Sequence, residues 1–337
     1  MQAEMAEQPA VLANLVTAFR TERRAMAALA PAAGAGIVLI ARGSSDNAAI
    51  YGRYLLEWAV GRPVVLAAPS LLTRYRRIPD VRNWLTVAIS QSGHTPEIVD
   101  SLRMLHDAGS HTIAITNEPD SPLAEHAERT IHLSAGRELA VPATKTVTTS
   151  FAALALLADA LAGPLWSSAH WESLPAAIAD LLTDEDGVDA AAELLAGAPG
   201  SIHLGRGFSY PAALESALKV KETSAIPAEG ASTADFLHGP IAATAGRPAV
   251  CYALSGPAYD DIVAMVNRLR SDGSPAVVIG TAVDEANIHV PASGDIPEPL
   301  AVITLLARAQ QLALAVARRM SVDPDRPGGL SKITRTS

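Results

Sequence analysis

The chain repeats itself. The run Ala41-Arg42-Gly43-Ser44-Ser45, followed by Ala48-Ala49, returns as Gly205-Arg206-Gly207-Phe208-Ser209, followed by Ala212-Ala213, at an offset of 164 residues. Ala108-Gly109-Ser110, ahead of Thr112 to Thr116, returns at that same offset as Asp272-Gly273-Ser274, ahead of Ala276 to Ile279. Two independent landmarks sharing one offset are hard to obtain by chance, so the chain reads as two copies of one domain. In the first copy, Gly36 to Ile40, Val64 to Ala67, Leu85 to Ile89, Thr112 to Thr116 and Thr130 to Leu133 are short apolar runs that predict strands. Helical periodicity separates several of them, most clearly over Asp46 to Val60. Strands alternating with helices predict a parallel sheet covered on both faces, an α/β fold built twice.

The expected organisation follows. A leading helix, about Pro9 to Leu29, lies within residues 1–33, and a first domain, 34–165, closes on a long helix from Lys145 to Leu161. A helical linker, 166–198, holds a bridge from about Leu174 to Leu195, and a second domain spans 199–320. The tail, 321–337, is too rich in Pro and Gly for an ordered helix.

Composition narrows the function. With 337 residues, 49% hydrophobic and 18% charged, the chain can build two real cores. Its net charge of -9 argues against nucleic acid as a partner, so an anion must be held by a local site. The single Cys251, in the apolar run Ala249 to Ala253, reads as a buried inert thiol rather than a nucleophile. No stretch is expected to reach the length of a membrane span, and the N-terminus, with Glu4 and Glu7, lacks the pattern of a secretion signal, so a cytoplasmic protein is expected.

The first chemical candidate is the turn Ser90-Gln91-Ser92-Gly93-His94-Thr95, between the strand Leu85 to Ile89 and a helix carrying Ile98, Leu102 and Leu105. Free backbone N–H groups, the helix dipole and three hydroxyls suit a phosphate without any Lys or Arg. A Ser/Thr N-cap that binds nothing uses the same residues. A dinucleotide or P-loop reading fits poorly, since Gly93 stands alone and no Gly-Lys-Ser/Thr follows. In the second copy the turn has become Leu254-Ser255-Gly256-Pro257-Ala258, without counterparts of Ser90 and Thr95, so only the first copy is expected to hold a phosphate.

The second candidate lies on the helix Ser209 to Thr223. Glu215, Lys219 and Glu222 share one face while Lys221 points elsewhere, and the first copy has apolar residues, Leu55 and Trp58, where the second has Lys219 and Glu222. A solvated salt-bridge stripe would look the same, but this helix starts at the carboxyl end of a strand, where α/β sheets put their ligands. Each copy then keeps half of a site, with a sugar between the two domains. His238, in Phe236-Leu237-His238-Gly239-Pro240, sits in a rigid turn where a histidine is either exposed or functional.

Together, the duplicated layout, Ser90 to Thr95, Ala143-Thr144-Lys145, Glu215 to Glu222, His238-Gly239-Pro240 and the Pro327-to-Lys332 tail resemble the double-SIS (sugar isomerase) family over about Glu7 to Thr334. The similarity is greatest to the isomerase half of glucosamine-6-phosphate synthase and to stand-alone SIS-type glucosamine-6-phosphate deaminases. The resemblance implies two tandem SIS domains, each a three-layer αβα, flavodoxin-like sandwich. It implies that Ser45, Ser90, Gln91, Ser92 and Thr95 hold a sugar phosphate, and that Glu222 moves a proton between C1 and C2 with Lys219 as its electrostatic partner. By the same resemblance His238 opens the sugar ring, reaching the neighbouring subunit of a homodimer, and Lys332 closes over the carbonyl end. The resemblance also implies that Ala143, Thr144 and Glu215 line the pocket. Neither metal nor cofactor is called for.

Two residues depart from the pattern. Ala143 stands where the family often has Ser, so one sugar contact is lost or passes to Thr144, and Gly328 follows Pro327 where synthase-type tails tend to carry Arg. With no amidotransferase domain and no N-terminal cysteine nucleophile in the sequence, the expected reaction is release: glucosamine 6-phosphate and water giving fructose 6-phosphate and ammonia. The alternatives are an isomerase or deglycase for galactosamine 6-phosphate or a fructosamine 6-phosphate, and a non-catalytic phosphosugar sensor.

Overall fold

The computed structural model describes residues 1–32, 34–292 and 295–332. Helices α1 (Gln2–Ala6) and α2 (Gln8–Ala27) lead in. The first copy runs β1 (Ile37–Ile40), α3 (Ser44–Val60), β2 (Val64–Leu66), α4 (Pro69–Thr73), β3 (Leu85–Ile89), α5 (Pro96–Asp107), β4 (His111–Thr116), α6 (Pro122–His126), β5 (Arg129–His132) and α7 (Lys145–Ala162). Helices α8 (Ser168–Thr183) and α9 (Val188–Ala196) connect it to the second. That copy opens with β6 (Ser201–Gly205), a 3-10 turn at Gly207–Ser209, α10 (Tyr210–Ser224), β7 (Ala228–Ser232) and α11 (Thr233–Leu237). It continues through β8 (Ala249–Ala253), α12 (Tyr259–Ser271), β9 (Ala276–Gly280), β10 (Ile288–Pro291) and α13 (Glu298–Arg319).

Each copy has one five-stranded sheet, β2-β1-β3-β4-β5 and β10-β9-β8-β6-β7, with every pair parallel. Read from matching ends, the two orders are the same flavodoxin-like arrangement. Central strands buried on both faces explain why Ile-Val-Leu-Ile and Ala-Val-Cys-Tyr-Ala are unbroken apolar runs. In the first copy Val38, Ile40, Ala88 and Ala114 pack against Ile98, Leu102 and Leu105 of α5. In the second, Ile202, Leu204, Cys251 and Val278 pack against Ile262, Met265, Val266 and Leu269 of α12. Burial pushes the Cys251 thiol up to about 12, which leaves it protonated and unreactive.

The duplication reaches single residues. Gly43 and Gly207 both open their turns at positive φ, +61° and +57°. Gly61 ends α3 and Ala225 ends α10 in the same left-handed conformation, each donating its N–H back to the helix. An ion pair recurs as well: Arg42 with Glu97 at 3.0 Å and Arg206 with Asp261 at 3.2 Å, each tying the turn after the first strand to the helix after the third. A Cβ on Gly36 would meet the Pro63 carbonyl at 2.6 Å, and one on Gly200 would meet that of Pro227 at 2.8 Å.

By its contacts the described chain forms two compact units. One gathers Ala10–Glu138 with Lys145–Trp171, and the other gathers Met1–Pro9, Leu139–Thr144 and Glu172–Lys332. The first nine residues and the 139–144 segment thus belong with the second sheet.

The leading helix runs Gln8–Ala27, close to the expected bounds, with a separate α1 before it, and two other expectations need correction. The helical bridge is two helices, because Gly187 at φ +69° breaks it where a Cβ would collide with the His289 carbonyl. Finally, α7 and α13 are long and apolar enough by composition to cross a membrane, yet 89% of each apolar window is buried inside the protein. They are core helices, α7 packed against α3 and α13 against α10 and α9.

The paired glycines give a first test. Gly36→Ala and Gly200→Ala should each cost about 1–3 kcal/mol in urea unfolding, as overpacking does. Gly328→Ala, in open space, should stay within about 0.5 kcal/mol of the parent.

Candidate active site

In the unit built on the first sheet, strand order reverses between the neighbours β1 and β3, whose pairing runs to Ile40 beside Ala88. Ligands of parallel α/β sheets bind outside the carboxyl ends at such a reversal. Ser45 stands in the first turn of α3, which follows β1, and Ser90 to Thr95 links β3 to α5. Gly93 is required there: its φ is +63°, and a Cβ would collide with the Ser121 hydroxyl. Thr95 is the N-cap of α5, but its side chain makes no capping bond, so the plain capping account does not hold for it. Ser90 and Ser92 accept from the turn's own N–H groups, of Gly93 at 3.2 Å and His94 at 3.3 Å, which leaves their O–H bonds to donate. Arg42 is spent on Glu97 through two bonds of 3.0 Å to one carboxylate oxygen.

In the other unit, α10 follows β6 through Gly205, where a Cβ would meet the Ser209 carbonyl at 2.6 Å, so only glycine lets the helix start this close to the strand. On α10, Lys219 is completely buried between two carboxylates, Glu215 at 3.3 Å and Glu222 in a short direct bond. The solvated-stripe alternative is excluded by this burial. Burial alone would lower the Lys219 pKa, but Glu215 and then Glu222 outweigh it and hold the ammonium above the ordinary lysine range. Glu215 is 1% exposed and Glu222 is 22% exposed, so Glu222 is the member of the triad that a ligand can reach. Lys221 is exposed, as expected. Nearby on β6, His203 is driven down to about 3 by burial and then by the charge of Lys221, so it stays neutral and is no acid–base group near pH 7.

The remaining candidates fall in two places. Lys332 donates to the Ala140 carbonyl at 2.7 Å, and Val141 N–H donates to the Asp325 carbonyl at 3.2 Å, so the tail lies along the segment that carries Ala143 and Thr144. Glu4 caps that segment through the N–H groups of Leu139 and Ala140, and Gln310 donates to the Thr144 carbonyl at 3.3 Å. His238 caps the C-terminus of α11 with its side chain exposed, ahead of Gly239 at φ +142°. Among the described residues no bond joins it to the Lys219 triad. A cavity of about 330 Å³ lined by Met5, Leu182, Val188, Leu314 and Arg318 contains none of the candidates.

Sequence reasoning missed three residues that shape these sites. Asn117 buries an amide at the end of β4, Glu97 holds Arg42, and Glu138 accepts from Thr146 N–H at 3.1 Å and its hydroxyl at 2.6 Å to cap α7. Only Glu138, eight residues before Thr146, lay near enough in sequence to suggest its partner.

Comparison with known proteins gives these shapes relatives. The model described as "SIS domain" matches residues 33–160. A glutamine–fructose-6-phosphate aminotransferase (isomerizing) of Methanothermobacter thermautotrophicus is 31% identical over 304 residues, 88% of this chain and 51% of that protein. The chain spans about half the length of the curated relatives it matches. A solved structure from Silicibacter pomeroyi DSS-3, assigned as a phosphosugar isomerase, superposes with a TM-score of 0.87 at 30% identity, over 96% of this chain and 99% of that one. Glucosamine-6-phosphate deaminase of Thermotoga maritima gives 0.80 at 24% identity, over 99% of each chain, and that likeness shows the fold alone.

The buried ammonium makes the triad testable through stability. Lys219→Met leaves two carboxylates uncompensated and should cost about 3–5 kcal/mol, against less than about 0.5 kcal/mol for Lys221→Met. Because the folded-state pKa of Lys219 lies above its ordinary 10.5, its stabilisation is fully present below pH 10.5 and is lost as pH rises through the folded value. Denaturant midpoints of parent and Lys219→Met should therefore converge only above pH 10.5.

Proposed function

Because the chain belongs to the SIS-domain family, we propose that it is an aminosugar-phosphate isomerase that releases ammonia, converting glucosamine 6-phosphate and water to fructose 6-phosphate and ammonia. The observation that carries this reading is the Lys219 ammonium buried between two carboxylates, of which Glu222 alone is accessible.

A carboxylate abstracts a proton from carbon only when it is correctly placed and the charge that develops is stabilised nearby. Lys219 fixes Glu222 and supplies a permanent positive charge that needs no reorganisation. In the proposed reaction the phosphate is held by the hydroxyls of Ser45, Ser90, Ser92 and Thr95 together with Gln91. His238 opens the ring, from the neighbouring subunit of a homodimer. Glu222 takes the proton from C2 of the open-chain aldehyde and returns it to C1. The electron pair of the broken C2–H bond forms the enolamine, and protonation at C1 leaves an imine at C2. Water adds to that imine and expels ammonia, so the release direction needs no other co-reactant. Lys332, with Glu215, Ala143 and Thr144, lines the carbonyl end, and closure of the tail keeps bulk water from the intermediate until proton transfer is complete.

A second reading rests on Ala143: with a methyl group where the family often has a hydroxyl, one sugar contact differs, which favours a substrate of another configuration at the hydroxyl concerned, such as galactosamine 6-phosphate.

Release of ammonia and fructose 6-phosphate from glucosamine 6-phosphate, with galactosamine 6-phosphate in parallel, separates the two. Glu222→Gln should lower turnover by about 10²–10⁴-fold while the sugar phosphate still raises the unfolding temperature as it does for the parent. Parent-like turnover in that variant would remove Glu222 from the mechanism.

A further inference from the structure

The two copies form an internal comparison: what both retain belongs to the fold, and what only the first retains follows the phosphate. The Arg42–Glu97 and Arg206–Asp261 pairs occur in both copies, although the second has lost the hydroxyl-rich turn, so that clamp is part of the frame. Asn117 behaves differently.

Asn117 leaves β4 with 6% exposure and four bonds that join the ends of three strands. Its N–H donates to the Gln91 carbonyl at 3.0 Å, inside the phosphate-binding turn after β3. Its side-chain oxygen accepts from Ala135 N–H at 2.9 Å, and its side-chain NH₂ donates to the Gly136 carbonyl at 2.8 Å, both beyond β5. Its carbonyl bonds to the His132 ring at 2.9 Å. Thr116 adds a second donor to the Gln91 carbonyl at 3.3 Å. An amide suits this place because it offers one acceptor and one donor on a short stem.

At the offset of 164 the second copy has Thr281. Its N–H bonds to the Ala253 carbonyl, within the strand, rather than to the turn, and its hydroxyl reaches only the Ser255 hydroxyl at 3.1 Å. The strut from turn to loop is present in the copy that keeps the hydroxyls and absent from the copy that lost them.

We propose that Asn117 is the positioning residue of the phosphate site: by pinning the Gln91 carbonyl to the 135–136 backbone it aims the hydroxyls of Ser90, Ser92 and Thr95 at one phosphate. The inference rests on the phosphosugar reading above. Asn117 touches no reacting atom, so its loss acts on binding and leaves proton transfer alone.

The test compares the parent with Asn117→Thr, which imports the second copy's residue, and Asn117→Ala, in the full chain. Binding of glucosamine 6-phosphate and of glucose 6-phosphate is measured by calorimetry, and turnover by ammonia release. Both variants should weaken both sugar phosphates by about tenfold and raise KM to match, with kcat within about threefold of the parent. Binding equal to the parent's in Asn117→Thr would overturn the proposal, as would a loss confined to kcat. If Asn117→Ala fails to fold, Asn117→Thr alone decides. A parent that binds no sugar phosphate would refute the phosphosugar reading itself and this inference with it, whereas a binding parent with indifferent variants refutes only the role of Asn117.

Discussion

An ammonium with no contact to water must be matched by charge, and in this protein Lys219 is matched twice, by Glu215 beneath it and Glu222 at the rim. The desolvation cost of such a charge is several kcal/mol, so the arrangement persists only while both partners stay in place. Much of the second copy is built to keep them there. Gly205 lets α10 begin against the end of β6, and Gly230 lets it lie close on β7, since a Cβ there would meet the Leu214 Cα at 2.8 Å. Thr223 ties α10 to the Ala313 carbonyl of the core helix α13 at 3.3 Å. The result is a carboxylate whose position is set by the interior of the protein and whose free face is open.

Duplication supplied two frames, and the differences between them are chemical. Both keep the strand order, the positive-φ glycine after the first strand and the arginine–carboxylate clamp. In the first copy, the turn after the third strand carries hydroxyls. In the second, Leu254 and Gly256 take the places of Ser90 and Ser92, and the Glu298 carboxylate lies directly over Gly256. A carboxylate in that place offers a phosphate no hydrogen-bond donor. We read this as a division of labour in which one copy binds the anion and the other moves the proton.

The features legible in the sequence were those that repeat with a period. Unbroken apolar runs marked the central strands, the offset of 164 marked the duplication, and spacing put Glu215, Lys219 and Glu222 on one face. Whether that face was wet or dry was not legible, because it depends on α13 and the second sheet. The break at Gly187 depends on the His289 carbonyl, about a hundred residues away, and the Arg42–Glu97 clamp joins residues that no local pattern connects. Asn117 is one polar residue at a strand end, indistinguishable in sequence from a turn former. The length of α7 was legible, Lys145 to Leu161 against the observed Lys145–Ala162, whereas α13 was not read, since Thr, Gln and Arg interrupt its apolar run.

The proposed chemistry turns on Glu222 carrying a proton from C2 to C1 of a phosphosugar. The most direct measurement is the fate of the label in glucosamine 6-phosphate deuterated at C2, followed by NMR with the full chain. The C2 label should be lost as ammonia is released and should appear at C1 of the fructose 6-phosphate or in the water. Ammonia release from a bound sugar whose deuterium stays on C2 would contradict it.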